Sequence, residues 1–268
     1  MRLSPDQLIQ TIILGLIQGL AEWLPISSTA HLRIAEHFLN FAATPLFNVT
    51  LHAGTLVIVM FYFRRELASI FSALARWDFK SEHGRWIPLI MVAMVPTGIV
   101  GLVYVMSLEE SFQTIPMIGA TFIVGASIVY ISRFGKEKEE SMTYPMAIVA
   151  GLAQGFAIFP GLSRSGVVIS SLLLLGLENE KAFRFSFLVS IPAILGDLVV
   201  EAYMQRGQFL TQGAGSLNLL VGPVLAIIAG YAAIRIVARL VTTKRFYYFA
   251  FYTWSLGVAL ILLSLAGF

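Results

Sequence analysis

Charge is scarce in this 268-residue chain: only 12% of its residues are Asp, Glu, Lys or Arg. A soluble domain carries about 25%, so there is too little charge here to cover a water-facing surface. Cysteine is absent altogether, which removes disulfides, thiol nucleophiles and Cys-ligated metals. What fills the space is apolar, with 57% hydrophobic residues, 20 Phe, 9 Tyr and 4 Trp, and a mean hydropathy of +0.82. The formal charge is +3, too small for a nucleic-acid surface despite a pI near 9.2. A soluble globular enzyme, a disordered chain and a nucleic-acid-binding domain are excluded. The composition is that of an all-α polytopic membrane protein.

A membrane-crossing helix needs about 20 predominantly apolar residues. Six stretches qualify, near Phe47–Phe63, Trp86–Met106, Ile115–Ile131, Ala182–Tyr203, Leu217–Val237 and Phe246–Leu265. Two further apolar stretches are broken. Leu8–Leu39 is interrupted at Pro25-Ile26-Ser27-Ser28-Thr29, and Met146–Gly176 at Pro160-Gly161-Leu162-Ser163-Arg164-Ser165-Gly166. Proline and glycine end the first half of each, and the hydroxyl cluster is expected to cap the second. Halves of about 12–17 residues are marginal for crossing, so both read as re-entrant helix–break–helix hairpins. The N-terminus lacks the basic flank and cleavage site of a signal peptide, so the first segment is expected to be retained.

The two breaks align with each other. Gly15-Leu16-Ile17-Gln18-Gly19-Leu20-Ala21 matches Gly151-Leu152-Ala153-Gln154-Gly155-Phe156-Ala157, and Pro25 and Ser28 match Pro160 and Ser163. The offset is half the chain, which points to one integral membrane domain made of two repeats, about 1–135 and 136–268. Each repeat holds one hairpin and three spans. Three is odd, so the second repeat enters from the opposite side, giving an inverted-topology repeat. On this count Arg64, Arg65, Arg76, Lys80, Arg85, Arg133, Lys136, Lys138, Lys181, Arg184, Arg235, Arg239, Lys244 and Arg245 share one side, and Arg2 and Arg206 the other. The positive-inside rule makes the first side cytoplasmic. Both termini and the first hairpin then face the exterior.

Ionisable residues within membrane segments are functional hypotheses by default. Those away from the segment ends are Glu22, His31, Arg33, His52, Arg164 and Asp197. Gln18 and Glu22 share a helix face, and Ser27, Ser28, Thr29 and His31 follow within one tight loop. In the second break, Ser163, Arg164, Ser165 and Gly166 open a half-helix whose free N–H groups, dipole and guanidinium favour a phosphate. If both half-helix N-termini converge with Arg164, they supply roughly +2 against the single negative charge of Glu22. A divalent cation, Mg²⁺ or Ca²⁺, bridging Glu22 and phosphate oxygens would balance a diphosphate there. An Arg164–Glu22 ion pair is the competing structural role. His52 and Asp197 read as polar helix–helix contacts, Arg33 as a snorkelling side chain, and Glu109, Glu110 and the Lys136–Glu140 run as solvated loop charge.

The first break, Gln18-Gly19-Leu20-Ala21-Glu22-Trp23-Leu24-Pro25-Ile26-Ser27-Ser28-Thr29-Ala30-His31, resembles the (E/Q)xxxE and PxSSTxH signature of the undecaprenyl-diphosphate phosphatases of the bacitracin-resistance type. Pro160–Gly166 resembles their PGxSRSxxT motif. The resemblance implies hydrolysis of undecaprenyl diphosphate to the monophosphate and phosphate, recycling the carrier lipid of peptidoglycan synthesis in the bacterial plasma membrane, with dependence on a divalent metal. It places the catalytic acid and metal ligand on Glu22, the nucleophile on Ser28, the motif histidine on His31 as proton shuttle, and the phosphate-binding arginine on Arg164. Gln18, Ser27, Thr29, Ser163, Ser165 and Gly166 are the remaining candidates for substrate binding. Direct attack by water, with Ser28 as a ligand, is the alternative route. The chain departs from the pattern at Gln18, at Val168 in place of the motif threonine, and at Ala30 in place of glycine. The partners expected are a prenyl diphosphate lipid and membrane lipid, with a homodimer left open. The competing function is a prenyl-phosphate flippase built on the inverted-repeat fold.

Overall fold

A computed structural model describes residues 5–41, 43–108, 110–204, 206 and 217–266; the expectations for Arg2 and Glu109 fall outside them. Eleven α-helices are described: α1 (Pro5–Trp23), α2 (Ser28–Phe38), α3 (Pro45–Tyr62), α4 (Arg64–Ala75), α5 (Trp86–Ser107), α6 (Ile115–Ile131), α7 (Tyr144–Phe156), α8 (Arg164–Leu174), α9 (Asn179–Met204), α10 (Asn218–Thr242) and α11 (Phe249–Leu265). Among the described residues the only β pairing is an isolated bridge between Glu139 and Leu177. Among the described residues six helical segments are long and apolar enough to cross a membrane: Pro45–Tyr62, Trp86–Ser107, Ile115–Phe134, Asn179–Met204, Asn218–Thr242 and Phe246–Leu265. They are the six expected spans, within a few residues at each end, and the protein is a multi-pass membrane protein.

The helix starts follow from local chemistry. Thr44 and Thr143 accept the Phe47 and Met146 amides ahead of α3 and α7, each with a proline in its first turn, where its missing N–H costs nothing. Two elements differ from expectation. α1 has 19 residues, longer than the half-helix anticipated, because its amphipathic first turns extend the helix before the apolar run begins. α4, unforeseen, buries Ile70 and Ala73 while leaving Phe71 and Leu74 exposed. A short helix with arginines at both ends and an uncovered apolar stripe suits the membrane interface.

Burial separates the helices by depth. The most apolar 18 residues of α9 are 56% buried, those of α5 only 17%, so α9 is central and α5 meets lipid with Met91, Val95, Ile99 and Leu102. Packing partners are exchanged between the halves. α1 lies on α10 as α7 lies on α5; α3 lies on α10 as α9 lies on α5; α6 meets α11, and α3 meets α9. The matched glycines explain the first of these exchanges. A Cβ on Gly19 would stand 2.4 Å from the Ala226 carbonyl oxygen, and one on Gly151 2.1 Å from that of Ala93. Small residues of this kind let backbones approach where apolar burial offers no driving force between helices.

Candidate active site

The two helix breaks meet. Gly161, held at φ +102° where only glycine is unstrained, donates its N–H to Ser27 Oγ at 3.1 Å. Ser163 Oγ donates to the Leu24 carbonyl at 3.2 Å. That commits the single Ser163 proton, so the Ser165 hydroxyl, 3.2 Å away, is the donor to Ser163. Ser163 also caps α8 by accepting the Gly166 N–H at 3.3 Å. Ser27 does not cap α2, contrary to expectation. It sits at φ +66°, a strained conformation for a residue with a side chain, and its hydroxyl is spent on the opposite break. Gly166 is a packing residue: a Cβ there would come within 3.0 Å of Pro25 Cβ, and its amide is already used.

Glu22 lies at the junction, its side chain 2% exposed. Oε1 is ion-paired with Arg164 Nη2. Oε2 accepts the Ser28 hydroxyl at 2.7 Å and the Gln18 amide Nε2 at 3.1 Å. A carboxylate desolvated to this degree is tolerable only with such charge-assisted donors around it. The Gln18 orientation follows, because an amide oxygen turned toward Glu22 would be repelled. The second Nε2 proton of Gln18 points at His52 Nδ1, 3.2 Å away, so that nitrogen presents its lone pair and a neutral His52 carries its proton on Nε2. His52 Nδ1 is also 3.9 Å from Glu22 Oε2.

His31 belongs to a separate brace. Its Nδ1 is 2.9 Å from the Ser27 carbonyl. A carbonyl only accepts, so Nδ1 carries the proton and Nε2 accepts from the Tyr252 hydroxyl at 2.7 Å, with the rings stacked at 5.7 Å. Both ring nitrogens are engaged away from Ser28, whose hydroxyl goes to Glu22. Thr29 is exposed and stands outside this network. Between the junction and α9 runs a crevice lined by Glu22, Trp23, Arg164, Ser165, Ser186, Phe187 and Ser190, too narrow to admit a water molecule. Trp23 and Phe187 stack at 5.0 Å along it.

Among the described residues no three of His, Asp and Glu are grouped to cage a metal. The donor present is the Glu22 carboxylate; Gln18 Oε1 is buried with no hydrogen-bond partner and is turned away from Glu22 by the Nε2 contact. Oxygen donors of this kind fit Mg²⁺ or Ca²⁺ that completes its shell with substrate phosphate oxygens, and do not fit an all-protein metal site.

The family model described as bacitracin resistance protein BacA matches residues 11–259. The chain belongs to the BacA family. Similar relatives named undecaprenyl-diphosphatase include one from Treponema denticola, 38% identical with 94% of this chain and 96% of the relative covered. Another from Syntrophotalea carbinolica is 38% identical, with 93% and 96% covered. A third, from Korarchaeum cryptofilum, is 34% identical, with 95% and 98% covered.

Sequence reasoning gave His52 no constellation, and it joins the Gln18–Glu22 pair. It carried a signal, an ionisable residue inside a span, but its partners sit on another helix. Asp197 is exposed on α9. Tyr252, Ser186 and Ser190 carried no signal of that kind.

Proposed function

We propose that this membrane protein hydrolyses undecaprenyl diphosphate to undecaprenyl phosphate and inorganic phosphate, recycling the lipid carrier for peptidoglycan synthesis and conferring bacitracin resistance. The observation that carries the reading is the Ser28 hydroxyl donating at 2.7 Å to a buried carboxylate that is itself paired with Arg164. That is a nucleophile, its base and an anion-binding fork in contact, drawn from two motifs 142 residues apart. The names of the full-length relatives support the same chemistry.

In the mechanism proposed, Ser28 Oγ attacks the terminal phosphorus while its proton passes to Glu22 Oε2. The bridging P–O bond breaks and prenyl monophosphate leaves, taking that proton from Glu22; water then hydrolyses the phosphoserine, giving one proton to Glu22, which returns it to Ser28 Oγ as the seryl P–O bond breaks. Arg164 moves from Glu22 onto the phosphoryl oxygens, the main stabilising task in such transfers. His31 acts as a positioning residue, holding the Ser27 turn, and the shuttle role passes to Glu22. A divalent cation held by the Glu22 carboxylate would neutralise phosphate charge. The exchanged packing of the two halves supports an inverted-topology repeat with both hairpins re-entrant. The clustering of basic residues supports a site that opens to the exterior of the plasma membrane. A flippase requires no nucleophile–base contact, and no observation favours one.

The test is phosphate release from farnesyl or undecaprenyl diphosphate in detergent. Wild type is expected to turn over and to stop in EDTA. Ser28→Ala should lose at least about 10³-fold, Glu22→Gln about 10²–10⁴-fold and Arg164→Ala about 10³-fold. Full activity in Ser28→Ala would exclude the phosphoserine. A folded wild type releasing no phosphate under any divalent ion would overturn the reading.

A further inference from the structure

Two serines on one face of α9, Ser186 and Ser190, line the crevice opposite Glu22, Arg164 and Ser165, and their hydroxyls are in different states. Ser190 Oγ donates back along its own helix to the Phe187 carbonyl at 2.7 Å, the usual way a helical serine satisfies itself. Ser186 is 2% exposed, yet its Oγ is buried with no hydrogen-bond partner. A buried hydroxyl left unpaired is destabilising, and such exceptions in a folded protein call for a cause.

We propose that the Ser186 hydroxyl, across the narrow crevice from the Glu22–Arg164 pair, is a further donor to the terminal phosphate once Arg164 has turned to it. The proposal rests on the phosphatase reading above and names one more contact of its substrate. The surrounding chemistry selects the ligand. A guanidinium and the free Ser186 hydroxyl border one narrow space, and a phosphate is a compact, tetrahedral, almost purely accepting group. Trp23 and Phe187 stack along the same space, with the Trp23 indole N–H turned toward Gly230. In the closed form Glu22 takes the fork of Arg164. When a phosphate enters, it competes with Glu22 for that fork, Arg164 turns toward it, and Ser186 gains the partner it lacks.

The test compares wild type with Ser186→Ala in detergent, reading thermal stability, kcat and KM for farnesyl diphosphate, and inhibition by inorganic phosphate. Removing an unpaired hydroxyl should leave the melting temperature equal or higher. KM and the inhibition constant for phosphate should both rise about tenfold, the loss of one hydrogen bond to a charged group. Ser186→Thr, which restores a hydroxyl, should recover part of the phosphate inhibition. A melting temperature several degrees lower in Ser186→Ala would mean that the hydroxyl serves the fold, and would overturn the proposal. So would unchanged KM and phosphate inhibition. Wild type that releases no phosphate would sink the phosphatase reading itself; an active wild type matched by Ser186→Ala would sink the Ser186 contact alone.

Discussion

Glu22 receives donors from Gln18, Ser28 and Arg164, so its carboxylate plane is fixed before any substrate arrives. That is what a base must have to take a proton from Ser28 along one line. The least expected contributor is His52, which touches none of the motif hydroxyls and acts through the Gln18 amide. His52→Leu should lower kcat by about 10–100-fold with KM little changed, because the amide loses the acceptor that fixes its orientation. His52→Gln, which keeps an acceptor, should recover most of the rate. Steady-state kinetics on the two variants decides the point, and equal loss in both would reduce His52 to packing. Glu22, Ser28 and Arg164 were legible because each lies in a short motif with a proline break. His52 was not, since its partner Gln18 is 34 residues away, and the Tyr252 partner of His31 is 221 away. Periodicity along one helix carries no information about which neighbour it will meet.

Helices α1 and α7 owe their placement to matched glycine pairs, Gly15 and Gly19 in one, Gly151 and Gly155 in the other. The matched glycines are therefore a packing device. Gly19→Leu should unseat α1 from α10, costing about 1–3 kcal/mol or more by overpacking, seen as a lower melting temperature and a lower yield of folded protein. Gly101 on α5 has open space where a Cβ would go. Gly101→Ala should therefore gain about 0.5–1 kcal/mol in the same assay. The six spans were readable from hydropathy because lipid imposes one length on each of them. α4 was not, because 12 residues with arginines at both ends read as an ordinary charged loop, and its buried face exists only once α5 lies beside it.

At the scale of the molecule, the exchange of packing partners between halves brings to one point two breaks whose contacting residues are 134 positions apart. The absence of cysteine makes the topology directly testable with single introduced thiols. Asn40→Cys should react with a membrane-impermeant maleimide in intact cells, whereas Lys80→Cys and Lys244→Cys should react only after the membrane is opened. Labelling of all three from outside would exclude the inverted arrangement. The sequence by itself determined the membrane solvent, the six spans, the two breaks and the motifs within them. Each of these is a local matter of composition, length or motif, enforced by the bilayer on every segment alone. Only the tertiary structure decided that Ser28 gives its proton to Glu22 and not to His31, that Ser27 ties the breaks together in place of capping α2, and that His52 and Ser186 face the site. Those contacts cross between helices, and their geometry is set by how closely the glycine-lined backbones approach, a distance that no single segment encodes.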